Sequence, residues 1–125
     1  MSSGIIPGRI VYIEMLDPQG RNPKRRPAVV RTLSPGGLVE AIAITSKLES
    51  SDPAVTVEIP WQHGGHPRTK LSAPGGAVCN WVVRVPAASI SADCLGGFIS
   101  AALLYRINVI TENILALIPL AAQEE

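Results

Sequence analysis

The sequence predicts a mainly β domain, a small barrel or half-barrel of five or six short strands closed by one C-terminal α-helix. Three observations carry that expectation. Apolar, β-branched runs separated by Pro, Gly, Asp and Ser turns fill the first two thirds of the chain. Beyond residue 100 the apolar period changes from two to three and four. A length of 125 residues leaves room for one hydrophobic core and no second. The chain therefore reads as one domain over 1–125, with its helix at about 100–118.

The elements follow in order. Arg9 to Met15 is β-branched or aromatic at most positions and apolar on both faces, which suits a strand inside a small closed barrel. Asp17-Pro18-Gln19-Gly20 ends it with turn chemistry, and Arg21 to Arg26 reads as a basic, mobile loop. Pro27 opens a second strand running to Leu33, and Ser34-Pro35-Gly36-Gly37 turns the chain. The third strand, Leu38 to Thr45, sets Leu38, Glu40, Ile42 and Ile44 against Val39, Ala41, Ala43 and Thr45. Val55 to Ile59 is a short strand, Pro60 to Lys70 a Gly/Pro/His loop around Trp61, and Ala77 to Val85 the clearest buried strand. In the helix Leu103, Ile107, Ile110, Ile114 and Leu117 form one face, Ser100 is placed to cap it and Pro119 to end it.

Composition excludes several classes. Eleven basic and ten acidic residues leave a net charge of +1, so bulk charge does not drive nucleic-acid binding, although Arg21, Lys24, Arg25 and Arg26 cluster locally and Arg31 follows. Aromatic residues make up only 4%, so the core is built from Val, Ile, Leu and Ala. Cys79 and Cys94 read as buried thiols rather than a disulfide framework. No signal peptide is visible, and the stretch from Phe98 to Leu120 is interrupted by Arg106, Asn108, Glu112 and Asn113, so a cytoplasmic location is expected. There is no phosphate-cradling glycine loop and no nucleophile elbow. His63 and His66 lack the further ligands of a metal site, so no metal is expected.

Four segments taken in order are more specific: Pro7-Gly8-Arg9-Ile10-Val11, Arg25-Arg26-Pro27-Ala28-Val29-Val30, Ala43-Ile44-Thr45-Ser46 and Ala77-Val78-Cys79-Asn80-Trp81. Their order and separation resemble the PemK/MazF family of bacterial toxin ribonucleases, from Pro7 to about Leu117. The resemblance implies an SH3-like barrel of five to seven strands with a C-terminal helix. It also implies a homodimer, an antitoxin partner, single-stranded RNA as substrate and no cofactor. It carries the family's two catalytic positions onto Arg26 and Thr45, which on their own would read as ordinary surface residues. A guanidinium can meet charge on a phosphoryl group with two parallel hydrogen bonds, and a threonine hydroxyl can donate to the same oxygens or position a ribose 2′-hydroxyl. The expected RNA contacts are Arg21, Lys24 and Arg25 on flanking phosphates, with Ser46, Asn80, His63 and His66, while Trp61 or Trp81 is available to stack a base.

Two departures matter. Asn80 stands where many family members carry a carboxylate, and the family's Arg of that strand is matched only by Arg84, one position on and so on the other face. Gly20 is followed by Arg21, Asn22 and Pro23, with no acid. Glu14, Asp17, His63 and His66 remain as proton acceptors, none singled out by its setting. A non-catalytic barrel binding RNA or a protein partner is the alternative reading. A toxin of this fold directed at a protein such as a topoisomerase is a third.

Overall fold

The computed structural model describes residues 4–17 and 19–123. Six strands, β1 (Arg9–Met15), β2 (Lys24–Leu33), β3 (Leu38–Thr45), β4 (Thr56–Ile59), β5 (Gly75–Pro86) and β6 (Leu95–Phe98), precede one helix, α1 (Ala101–Gln123). They form a single curled sheet in the order β4-β5-β3-β2-β1-β6, antiparallel at every step. This is the expected half-barrel closed by a helix. No helix among the described residues is long and apolar enough to cross a membrane.

Apolar residues on both faces of the central strands fill two clusters. Ile10, Val29, Ile42 and Ile44 point to the helix side, where Val57, Ile59, Cys79 and Ile107 join them. Val11, Ile13, Ala28, Val30, Ala41 and Ala43 point the other way, beneath Trp81, Val83 and Leu95. Burying each such Val or Ile stabilises the fold by about 1.5–3 kcal/mol. The alternation expected for β3, isoleucines against alanines, divides along this boundary.

Strand β5 has a sharp bend. Between the pairs Ile42–Val82 and Ile44–Ala77, β3 advances two residues while β5 advances five. The surplus at Val78–Trp81 lets the first part of β5 turn away and carry β4 on its outer side. Only that first part is deeply buried, so the strand expected to be buried throughout is exposed or half-buried from Asn80 onward.

Strand β6 has no counterpart in the sequence reading, because Gly96 and Gly97 carry no strand propensity. Its reason is tertiary. The connection from β4 to β5 crosses to the opposite edge of the sheet, where the Phe98 amide donates to the Arg68 carbonyl at 2.8 Å. A Cβ on Gly97 would lie 2.1 Å from that carbonyl oxygen, so only glycine admits this approach. The crossing loop is held by buried Thr69, whose hydroxyl donates to the Pro60 carbonyl at 2.8 Å and accepts the Leu71 amide at 3.2 Å.

Other boundaries differ from expectation. β2 begins at Lys24, so Lys24, Arg25 and Arg26 are strand residues and not loop. Pro27 is tolerated inside it because the pairing of β2 with β3 starts only at Ala28, leaving β1 as the sole neighbour at that point. Ser100 caps α1 as expected, its hydroxyl accepting the Leu103 amide at 3.2 Å. The helix continues past Pro119, which removes one ladder donor without ending it. Leu117 is exposed rather than packed, since the apolar stripe outruns the strands it covers, and Leu104 joins Leu103 against the core instead. Both cysteines are free, but only Cys79 is buried; Cys94 is half-buried.

Candidate functional site

Alternation along β2 decides which basic residues can act together. Lys24 and Arg26 share the face of Ala28 and Val30, whereas Arg25 points to the other. Arg25 lies over the Tyr12 ring at 6.0 Å and donates to the Asp93 carbonyl at 3.1 Å and to Cys94 Sγ at 3.3 Å. It is thus engaged on the far side of the sheet from Arg26. Arg21 sits in the β1–β2 turn, where the Asp17 carboxylate accepts the Arg21 amide at 2.8 Å and the Asn22 side-chain amide at 2.8 Å. Those two bonds, Arg21 first, hold the Asp17 carboxyl below the ordinary carboxylate range. The segment expected to be a mobile loop is therefore a hydrogen-bonded turn running directly into a strand.

Arg26 is half-buried, with Nη2 donating to the Asn22 carbonyl at 3.3 Å and the guanidinium carbon 5.7 Å from the centre of the Trp81 ring. Its Nε is buried and has no hydrogen-bond partner among the described residues. An unmatched donor of this kind costs about 1–3 kcal/mol, and the part of the guanidinium open to an outside acceptor is its terminal nitrogens, of which Nη1 has no hydrogen bond among the described residues. Trp81 reaches this position because the bend in β5 delivers it to the Arg26 face. It serves as packing for the second cluster and as a platform for the arginine together.

Thr45 is the last residue of β3. The Ala28–Ala43 pair fixes the register of β2 on β3, and two residues beyond it on each strand stand Arg26 and Thr45, on the same face. The Thr45 hydroxyl oxygen accepts the Lys47 amide at 3.1 Å, which leaves its proton free to donate outward. A guanidinium and a hydroxyl directed at one side of the sheet can share an anionic oxygen ligand.

The remaining expected residues divide. Asn80 is exposed on the β5 bend beside Trp81, and Ser46 follows Thr45 directly. His66 is committed to its own loop: Nδ1 accepts the amides of Arg68 at 3.1 Å and Thr69 at 3.2 Å, so the proton of the neutral ring sits on Nε2. His63 is exposed, as is Trp61. Among the described residues, no three His, Cys, Asp or Glu side chains are grouped as metal ligands. Arg84 lies on the helix side, paired with Glu40 at 2.7 Å, away from Arg26. Sequence reasoning offered Trp81 as a ring to stack a base and missed its contact with Arg26, which depends on three surplus residues in β5.

No model of a known protein family matches this chain, and no curated protein matches it. Solved structures do. In a MazE–MazF complex from Deinococcus radiodurans the similar chain is 19% identical with a TM-score of 0.63, covering 91% of this chain and 98% of that one. MazF of the same organism in another form is 22% identical with a TM-score of 0.64, covering 88% of this chain and 94% of its own. The Mycobacterium tuberculosis toxin MazF-mt6 is 18% identical with a TM-score of 0.59, covering 84% and 94%. Over nearly its whole length, then, this chain has the fold of the MazF toxins.

Proposed function

We propose that this chain is the toxin of a type II toxin–antitoxin pair, a metal-independent endoribonuclease that cuts single-stranded RNA in the cytoplasm. The observation that carries this reading is the half-buried Arg26 guanidinium, held against Trp81 with donors left open among the described residues, on the same face as the Thr45 hydroxyl proton. In the reaction the ribose 2′-oxygen attacks the adjacent phosphorus and the bond to the 5′-oxygen breaks. The products are a 2′,3′-cyclic phosphate and a free 5′-hydroxyl. Negative charge builds on the non-bridging oxygens, where Arg26 donates and Thr45 adds a second hydrogen bond. Trp81 holds the guanidinium in place, and Lys24, on the same face, attracts a neighbouring phosphate. The MazE–MazF complex among the structural neighbours supports an antitoxin partner, and a homodimer is the expected assembly.

Incubating the protein with a long single-stranded RNA in EDTA tests this reading. Fragments with 5′-hydroxyl ends are expected, absent with Arg26→Ala; RNA of varied sequence that stays intact overturns it. One observation favours a second reading, a barrel that binds RNA without cutting it. Asn80, on the exposed bend, is an amide and accepts no proton from a 2′-hydroxyl. Salt-dependent RNA binding without turnover would decide for that alternative.

A further inference from the structure

A second basic site lies at the seam of the barrel, where the β4–β5 loop meets β6. Arg9, Arg68 and Lys70 line one recess of about 390 Å³ together with Phe98 and the Gly96–Gly97 backbone. None of the three cations forms an ion pair among the described residues. Arg9 is already oriented: its Nε donates to the Gly96 carbonyl at 2.8 Å and its guanidinium carbon lies 4.4 Å from the centre of the Phe98 ring. Both terminal amino nitrogens remain without a hydrogen-bond partner among the described residues, a fork fixed in direction with nothing to bind. Opposite it the loop is equally fixed, through the bond between the Phe98 amide and the Arg68 carbonyl and through the left-handed backbone of Lys70, φ 66°.

We propose that this recess is a phosphate-binding site, separate from Arg26 and Thr45, that takes a phosphate of the RNA strand away from the bond being cut. In naming RNA as the source it rests on the ribonuclease reading; the affinity for phosphate does not. Arg9 starts β1 while Arg26 faces Ile13 four residues further along that strand, so one extended RNA strand can reach both. The site would lengthen the recognised segment, and it gives the chain a means of holding RNA that does not require the β1–β2 turn.

The test pairs two ligands with one variant. Isotope-labelled protein is titrated with inorganic phosphate and, separately, with a 2′-O-methylated oligoribonucleotide that cannot be cleaved. The variant is Arg68→Ser combined with Lys70→Asn; both side chains are exposed, and asparagine accepts a left-handed backbone. Phosphate should shift the Gly96, Gly97 and Lys70 amide resonances of the unaltered protein and not those of the variant. Oligonucleotide affinity should fall about tenfold in the variant, and the slope of log K against log salt should shrink by about 0.7. RNA cleavage of ordinary rate with no amide response to either ligand overturns the proposal and leaves the ribonuclease reading intact. A phosphate response lost in the variant, with no RNA bound or cut, supports the recess, identifies free phosphate compounds as its ligands and removes the ribonuclease reading.

Discussion

Two arginines five residues apart on β2 have opposite surroundings. Arg31 is buried, 8% exposed, and its donors are taken up: Nε and Nη2 bind Glu40 at 3.0 and 2.8 Å, and Nη1 reaches Asn108 at 3.4 Å and Glu112 at 3.2 Å on α1. Glu40, 12% exposed, also accepts Arg84 at 2.7 Å. Among the described residues Arg26 has one long bond to a carbonyl, an aromatic ring beside it and donors left without a partner. The same side chain thus fastens sheet to helix at one position and is left incomplete at the other. A buried charge with its donors taken up belongs to the structure, whereas a half-buried one with open donors is placed to take a ligand.

The contrast can be broken from either side. The largest effect is expected at Glu40→Ala, which takes the acceptor from the buried Nε and Nη2 of Arg31: a loss of about 3 kcal/mol in unfolding free energy, read by denaturant titration. Arg26→Ala should do the reverse, lowering the RNA cleavage rate by about 10²–10³-fold while the unfolding midpoint stays the same or rises. Thr45→Val comes next. It removes one neutral donor, so cleavage should slow by about tenfold, with Thr45→Ser restoring most of the rate. The smallest effect concerns the turn that presents Arg26 through Asn22. Because hydrogen bonds depress the Asp17 pKa, the turn's stability is fully present above the ordinary carboxylate value and is lost progressively below it, as pH falls through the lowered native value. Exchange of the Arg21 amide should therefore speed up, beyond its intrinsic pH dependence, below about pH 4, and Asp17→Asn should abolish that extra step.

Local pattern accounts for much of the architecture. β1 and β3 occupy the residues that their alternation indicates, and Ser100 caps the helix, since each depends on neighbours in the chain. What escaped the sequence is contact at a distance. Arg31 reads as one more member of a basic cluster until Glu40 and α1 close around it. Lys24 to Arg26 read as loop because their strand character comes from β1 alongside. Arg26 and Thr45 were legible only through a resemblance, and the part of Trp81 rests on a bend with no local signature. Similarly, Gly96-Gly97 looks like flexible linker, whereas the Arg68 carbonyl pressing on Gly97 makes it the tightest joint of the barrel.

That joint bears on solubility. An open sheet exposes two rows of backbone donors and acceptors on which other chains can polymerise. Here both outer strands have only four residues, and at β6 the Phe98 amide is already engaged by the chain's own loop. The protein offers little template for strand addition, so recognition of other molecules falls to side chains. A folded chain gains dispersal from edges that are already occupied.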